Sequence, residues 1–138
     1  MYLIDTNVIS EARKGRQSNR GVKAFFRQVE KDGTPVYISV VTIGELRRGI
    51  EKIRHRTDFE QAQKLERWLN GILADYADNI LDFDRDTAQV WGRLRVPNHE
   101  NALDKQIAAT ALIHDLIIVT RNVGDFGECS VRLFNPFQ

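Results

Sequence analysis

Short apolar runs alternate along this chain with longer stretches in which apolar residues recur every three or four positions. The first pattern predicts buried strands and the second amphipathic helices. Tyr2-Leu3-Ile4 opens as a strand, and Asp5-Thr6-Asn7 follows, three residue types that favour turns and helix N-caps. Val8, Ile9 and Ala12 support a short helix ending near Gly15. Asn19 starts a second helix, with Val22, Phe25, Phe26 and Val29 on one face, and Gly33 and Pro35 stop it. Val36-Tyr37-Ile38 is a second strand, rich in β-formers. A third helix carries Ile43, Leu46, Ile50 and Ile53. A fourth covers residues 58–77, anchored by Phe59, Ala62, Leu65, Leu69 and Ile72. Residues 80–83 form a third strand. Asp84 caps a fifth helix with the stripe Ala88, Trp91 and Leu94, ended by Pro97. Leu103, Ile107, Ala111 and Leu112 mark a sixth helix, Leu116–Val119 a fourth strand, and Val131–Phe134 a fifth.

Strands alternating with helices imply parallel βαβ units, hence an α/β sandwich around a central parallel sheet of four to five strands. The 138 residues suit one domain spanning residues 1–138, with 42% hydrophobic and 28% charged residues as in water-soluble proteins. No apolar run is long enough to span a bilayer, and Asp5 and Glu11 interrupt any secretory leader. The lone Cys129 has no disulfide partner in the chain, as expected of a cytoplasmic protein. Net charge is +1, but residues 1–60 carry 12 Lys/Arg against 8 Asp/Glu, and residues 61–138 carry 8 against 11. That imbalance permits a basic surface beside an acidic site without by itself announcing a nucleic-acid binder.

In open parallel sheets, ligands bind beyond the carboxyl ends of the strands. Four acids fall in segments that lead there: Asp5 after the first strand, Glu45 early in the third helix, Asp104 at the head of the sixth, and Asp125 after the fourth strand. Each has an ordinary structural role too. Asp5 can cap a helix, Glu45 can sit on a solvated helix edge, Asp104 can favour a helix N-terminus, and Asp125 can form a turn. Together they describe like charges converging on one sheet edge, which raises carboxyl pKa values and destabilises the fold unless cations intervene. An all-oxygen donor set points to Mg²⁺ or Mn²⁺ rather than zinc. His55, His99 and His114 show no zinc-ligand spacing. The Arg13, Lys14 and Arg16 cluster and the Arg47, Arg48, Lys52, Arg54 and Arg56 cluster are either solvated helix faces or polyanion-binding surfaces.

Leu3–Ser10, Ser39–Gly49 with Glu45 inside it, Asp104–Leu112 and Val119–Phe126 resemble, in this order, the PIN-domain ribonucleases. The nearest pattern is that of the VapC/FitB-like toxins of bacterial toxin–antitoxin pairs. The resemblance implies a three-layer α/β/α fold. It also implies that Asp5, Glu45 and Asp104 are metal-site carboxylates, with Asp125 the fourth. Thr6 and Thr120 would give hydrogen-bonding support. Some relatives carry an acid at the place of Asn122, so either Asn122 or Asp125 supplies the last oxygen. Lys105 and Gln106 are more polar than the family pattern and suggest a contact with substrate or partner.

The function so implied is a Mg²⁺- or Mn²⁺-dependent endoribonuclease toxin that leaves a 5′ phosphate and a free 3′ hydroxyl. Arg47, Arg48 and Arg121 are the expected RNA contacts. The implied partners are RNA, a cognate antitoxin lying across the groove, a second copy of the chain, and DNA only through the antitoxin. Trp68 and Trp91 suit such interfaces or the core. The alternative is a catalytically inactive PIN-like module that binds RNA or protein, against which the three core acids argue. A Mg²⁺-dependent phosphatase or receiver domain would place paired acids after one strand, and residues 1–10 lack that pair.

Overall fold

A computed structural model describes residues 1–138. Its strands are β1 (Tyr2–Ile4), β2 (Val36–Ser39), β3 (Ile80–Leu81), β4 (Ile117–Val119) and β5 (Leu133–Phe134). Its helices are α1 (Thr6–Ala12), α2 (Arg20–Asp32), α3 (Val40–His55), α4 (Phe59–Asp75), α5 (Arg85–Leu94) and α6 (Ala102–His114). All strand pairings are parallel, in the order β3-β2-β1-β4-β5. Tyr2 pairs with Val36 on one side and Ile117 on the other, so β1 is central.

The alternation of side chains along the strands divides the core in two. Ile4, Ile38 and Val119 face one apolar cluster, which α1 to α4 complete through Val8, Val22, Phe25, Leu46, Ile50 and Leu69. Leu3 and Ile118 face the other, closed by Ile107, Ala108 and Ala111 of α6 and by Phe126. Ile4, Leu3 and Ile118 are almost wholly buried, each worth roughly 1.5–3 kcal/mol relative to exposure. Helix α5 packs on α6. This is the three-layer α/β/α arrangement, and no helix is long and apolar enough to cross a membrane.

The helix starts follow the expected capping chemistry. Asn19 accepts from the Gly21 and Val22 N–H groups, Asp58 from Gln61, and Asp84 from Thr87. Several expectations need correction. The third strand stops at Leu81 and the fifth starts only at Leu133. Phe59, expected to anchor α4, is exposed at its N-terminal end, where the helix overhangs the core. Leu103 and Leu112 are exposed as well. Helix α6 is instead buried through Lys105, Ile107 and the run Ala108–Ala111, because the sheet covers one side and α5 another.

The chain winds outward from β1 through β2 to β3, then returns through α5 and α6 to place β4 on the other side of β1, so the strand order switches direction between β1 and β4. A sheet of this type opens a crevice at that point.

Candidate metal centre

Asp5 begins where β1 ends. It is the N-cap of α1, and its Oδ1 accepts from the Thr6 N–H at 2.8 Å. Its Oδ2 accepts from the Thr120 hydroxyl at 2.8 Å and from Asn7 Nδ2 at 3.2 Å. Thr120 lies just past β4, and its Oγ1 also accepts from the Asn122 N–H at 3.0 Å. The Asn7 carbonyl oxygen accepts from the Arg121 N–H at 3.0 Å. The ends of two neighbouring strands are thus tied together around one carboxylate that is only 5% exposed.

A cleft of ≈ 520 Å³ opens over this carboxylate. Glu45 enters from α3, Asp104 from the first turn of α6, and Asn122 from the loop after β4. Asp125 stands in a short 3-10 turn, Val123–Phe126, outside the cleft wall but close enough to act electrostatically. Burial pushes the Asp104 carboxyl up to about 6, and the charges of Asp5, Asp125 and Glu45 push in the same direction. Burial also raises Asp5. Hydrogen bonds from Thr120, Thr6 and Asn7 oppose that rise, and the Asp125 charge adds to it. All four acids therefore share one field.

None of the ion pairs in the molecule includes any of these four acids. The side chains are not gathered tightly enough for three of them to enclose an ion directly. Uncompensated oxygen donors around one cleft match the ligand preference of a hard dication. Such an ion takes one or two carboxylates and keeps several of its own waters. The chemistry of the donors excludes a thiolate- or imidazole-rich zinc site.

The other expected site residues separate into two groups. Thr6 lines the cleft and supports Asp5 through its backbone N–H rather than its hydroxyl. Asn122 lines the cleft, whereas Asp125 does not. Arg121 is exposed and stacks over the Phe137 ring, 4.8 Å from its centroid. Arg48 is exposed and makes no ion pair. Arg47 is not free: it pairs with Glu66 at 2.6 Å and with Glu51 at 3.3 Å. Lys105 is 2% exposed, and its ammonium donates to the Asn98 carbonyl, so it cannot be the surface contact expected of it. The residue type of Asn7 marks a turn, yet its side chain bridges Asp5, Thr120 and Arg121. Its place two residues after Asp5 is the available signal.

A family model described as PIN domain matches residues 2–127. The chain belongs to the PIN-domain family. This PIN domain is 34% identical to "Toxin FitB" of Neisseria gonorrhoeae, over 100% of its own length and 99% of the relative's. It is 29% identical to "VapC ribonuclease Y4jK" of Sinorhizobium fredii, with the same coverage. Among solved structures it superposes on FitAcB from Neisseria gonorrhoeae with a TM-score of 0.82 at 35% identity, covering 99% of this chain and 98% of that one. It also matches FitAB bound to an IR36 DNA fragment, with a TM-score of 0.75 at 31% identity, covering 100% and 96%.

Proposed function

We propose that this PIN domain, acting as one unit over residues 1–138, is a divalent-metal-dependent endoribonuclease and the toxin of a toxin–antitoxin pair. The observation that carries the reading is the convergence of Asp5, Glu45 and Asp104 on one cleft without a compensating cation, with Asp125 in the same field. The name of the VapC ribonuclease relative supports RNA as the substrate. Asp5, Glu45 and Asp104 would hold Mg²⁺ or Mn²⁺, with Asn122 or Asp125 as the remaining oxygen donor. When bound, the cation supplies Lewis acidity at the scissile phosphate and neutralises its charge.

The protein's own residues do the rest. Thr120, Asn7 and the Thr6 N–H fix the Asp5 carboxylate in one orientation, so little reorganisation remains when substrate arrives. Glu45 and Asp104 come from separate helices into the cleft that Asp5 lines, so they could contact the phosphate as well as the cation. No histidine lines the cleft, so proton transfer falls to the carboxylates and to water.

The toxin name of FitB and the FitAB–DNA assembly support a protein inhibitor for this chain, through which DNA would be reached indirectly. Inhibition would come from a segment of that antitoxin entering the cleft. Self-association into a homodimer and a cytoplasmic location belong to the same proposal.

The test is cleavage of a mixed single-stranded RNA by purified protein. Cutting should require Mg²⁺ or Mn²⁺ and fall by at least about a hundredfold in Asp5→Asn, Glu45→Gln and Asp104→Asn. Cleavage in EDTA at the full rate, or full activity in Asp104→Asn, would remove the metal centre from the reaction.

A further inference from the structure

Helix α3 carries Glu45 into the cleft and then continues for more than two turns to His55. At about 100° per residue, Arg48, Lys52, His55 and Arg56 fall on the same side of the helix as Glu45. Arg47 and Arg54 fall on the opposite side. The ion pairs agree with this division. Arg47 and Arg54 are both held by Glu66 of α4 and by Glu51. Arg48, Lys52, His55 and Arg56 are all exposed and make no ion pair. They line a shallow depression of ≈ 380 Å³ whose only acid, Glu51, is already committed to Arg47 and Arg54. Asp58, next along the chain, is committed to the N-terminus of α4.

The carbonyls at the end of α3 favour cations near its last turn and so account for Lys52 and Arg56 without a ligand. They do not account for Arg48, which lies two turns earlier, one turn from Glu45. Nor do they account for the sorting by which Glu51 and Glu66 are both spent on Arg47 and Arg54, leaving the cations on the Glu45 side unpaired.

We propose that this face of α3 is a track for single-stranded RNA, along which the chain flanking the scissile phosphate runs into the carboxylate cleft. The inference rests on the nuclease reading and adds where the substrate lies. From Glu45 to Arg56 the row extends about 16 Å along the helix axis, room for a few consecutive phosphates. The cations form a single file, which matches one phosphodiester backbone rather than the two of a duplex. No aromatic side chain lines the depression, so the contact reads charge and not base identity. Long RNA is thereby delivered to the acids, which would otherwise repel it.

The experiment measures binding of a fluorescein-labelled, unstructured 20-nucleotide RNA to the full chain in EDTA across a salt series. It compares wild type with Arg48→Gln/Lys52→Gln/Arg56→Gln and with the control Arg85→Gln/Arg93→Gln, two exposed cations of α5. Each phosphate neutralised on a single strand contributes a slope of about −0.7 in log K against log salt. The track variant should bind roughly ten- to a hundredfold more weakly at low salt and lose about 2 from the slope. The control pair should keep both. With Mg²⁺ present, the track variant should lose activity on the 20-mer through a raised KM, and should lose far less on a trinucleotide, which is too short to follow the row. An unchanged slope in the track variant overturns the proposal, as does an equal loss in the control pair, or a preference for duplex DNA with the same slope. If wild type fails to cleave yet the slopes separate as stated, the nuclease reading fails and the RNA track stands.

Discussion

The Thr120 hydroxyl donates to the Asp5 carboxylate at 2.8 Å across 115 positions of sequence, joining the ends of two adjacent parallel strands. The same oxygen accepts from the Asn122 N–H, so one buried hydroxyl serves both a metal-site acid and the loop beside it. Thr120→Val keeps the shape and removes these bonds together with a third, accepted from Asn7 Nδ2 at 3.3 Å. Leaving buried polar groups unpaired costs about 1–3 kcal/mol, and Asp5 loses the largest influence opposing its burial. We expect urea denaturation to show that loss, Thr120→Ser to recover most of it, and RNA cleavage to fall in the valine variant. A valine variant as stable and active as wild type would show that the bond holds nothing in place.

The raised carboxyls set a pH dependence that is opposite to the usual acid lability. Asp104 is raised from 3.8 to about 6, and Asp5 is raised as well. The folded state therefore holds protons more tightly than the unfolded chain. The stability that Asp104 contributes is complete below about 3.8 and is lost as pH rises through about 6. Glu11, Glu51, Glu66 and Asp84 are lowered by their hydrogen bonds and act at more acid pH, so the window from 5 to 7 isolates the cleft. In EDTA, Tm should fall from pH 5 to pH 7. Asp104→Asn should flatten that fall and raise Tm at pH 7. Mg²⁺ should raise the wild-type Tm at pH 7 more than at pH 5, because it binds the deprotonated cluster. A metal-free Tm that climbs across this window would refute the electrostatic account.

Cys129 offers an independent probe of the α6 side of the core. It is 2% exposed, and burial pushes its thiol up. A buried, protonated thiol is inert to disulfide reagents. Native protein should react with a colourless aromatic disulfide only at the rate of local opening, with full reaction in denaturant. Rapid stoichiometric labelling under native conditions would mean that α6 and the 123–126 turn do not close over it.

The strands and the caps were legible because each depends on neighbours within a few residues, whereas the acids were marked by the place of their segments relative to the strand ends and by the family pattern. Ile4-Asp5 announces a buried strand meeting a polar edge, and Asn19 and Asp84 announce helix starts. What could not be read depends on distant partners. Nothing near Arg47 indicates that Glu66, on the next helix, will claim it. Lys105 has the composition of a surface residue, but the loop through Asn98 folds back to accept its ammonium. The apolar stripe of α6 failed for a related reason. With cover on two sides, the small residues Ala108, Ala109 and Ala111 are buried, and the large Leu103 and Leu112 project outward. The role of Asn7 exists only once β4 lies beside β1 and brings Thr120 and Arg121 within reach.

Gly21 tests how firmly the last residues are docked. In an ordinary helix, replacing Gly by Ala stabilises by roughly 0.5–1 kcal/mol. Here a Cβ would stand 1.9 Å from the Pro136 carbonyl oxygen and 2.7 Å from the Gln138 side chain. The tail cannot shift freely, because Asn19 holds Gln138 through two bonds, from Asn19 Nδ2 to the Gln138 carbonyl at 2.9 Å and from the Gln138 N–H to Asn19 Oδ1 at 3.0 Å. Gly21→Ala should therefore reverse sign and cost about 1–3 kcal/mol, the range for overpacking a filled site. Deleting residues 136–138 removes the obstacle, so in that background the same substitution should become neutral or stabilising. The deletion also takes Phe137 from beneath Arg121, so RNA affinity measured alongside tells whether that stack matters. If Gly21→Ala stabilises the full chain, the tail is not packed against α2 and the double-variant comparison loses its basis.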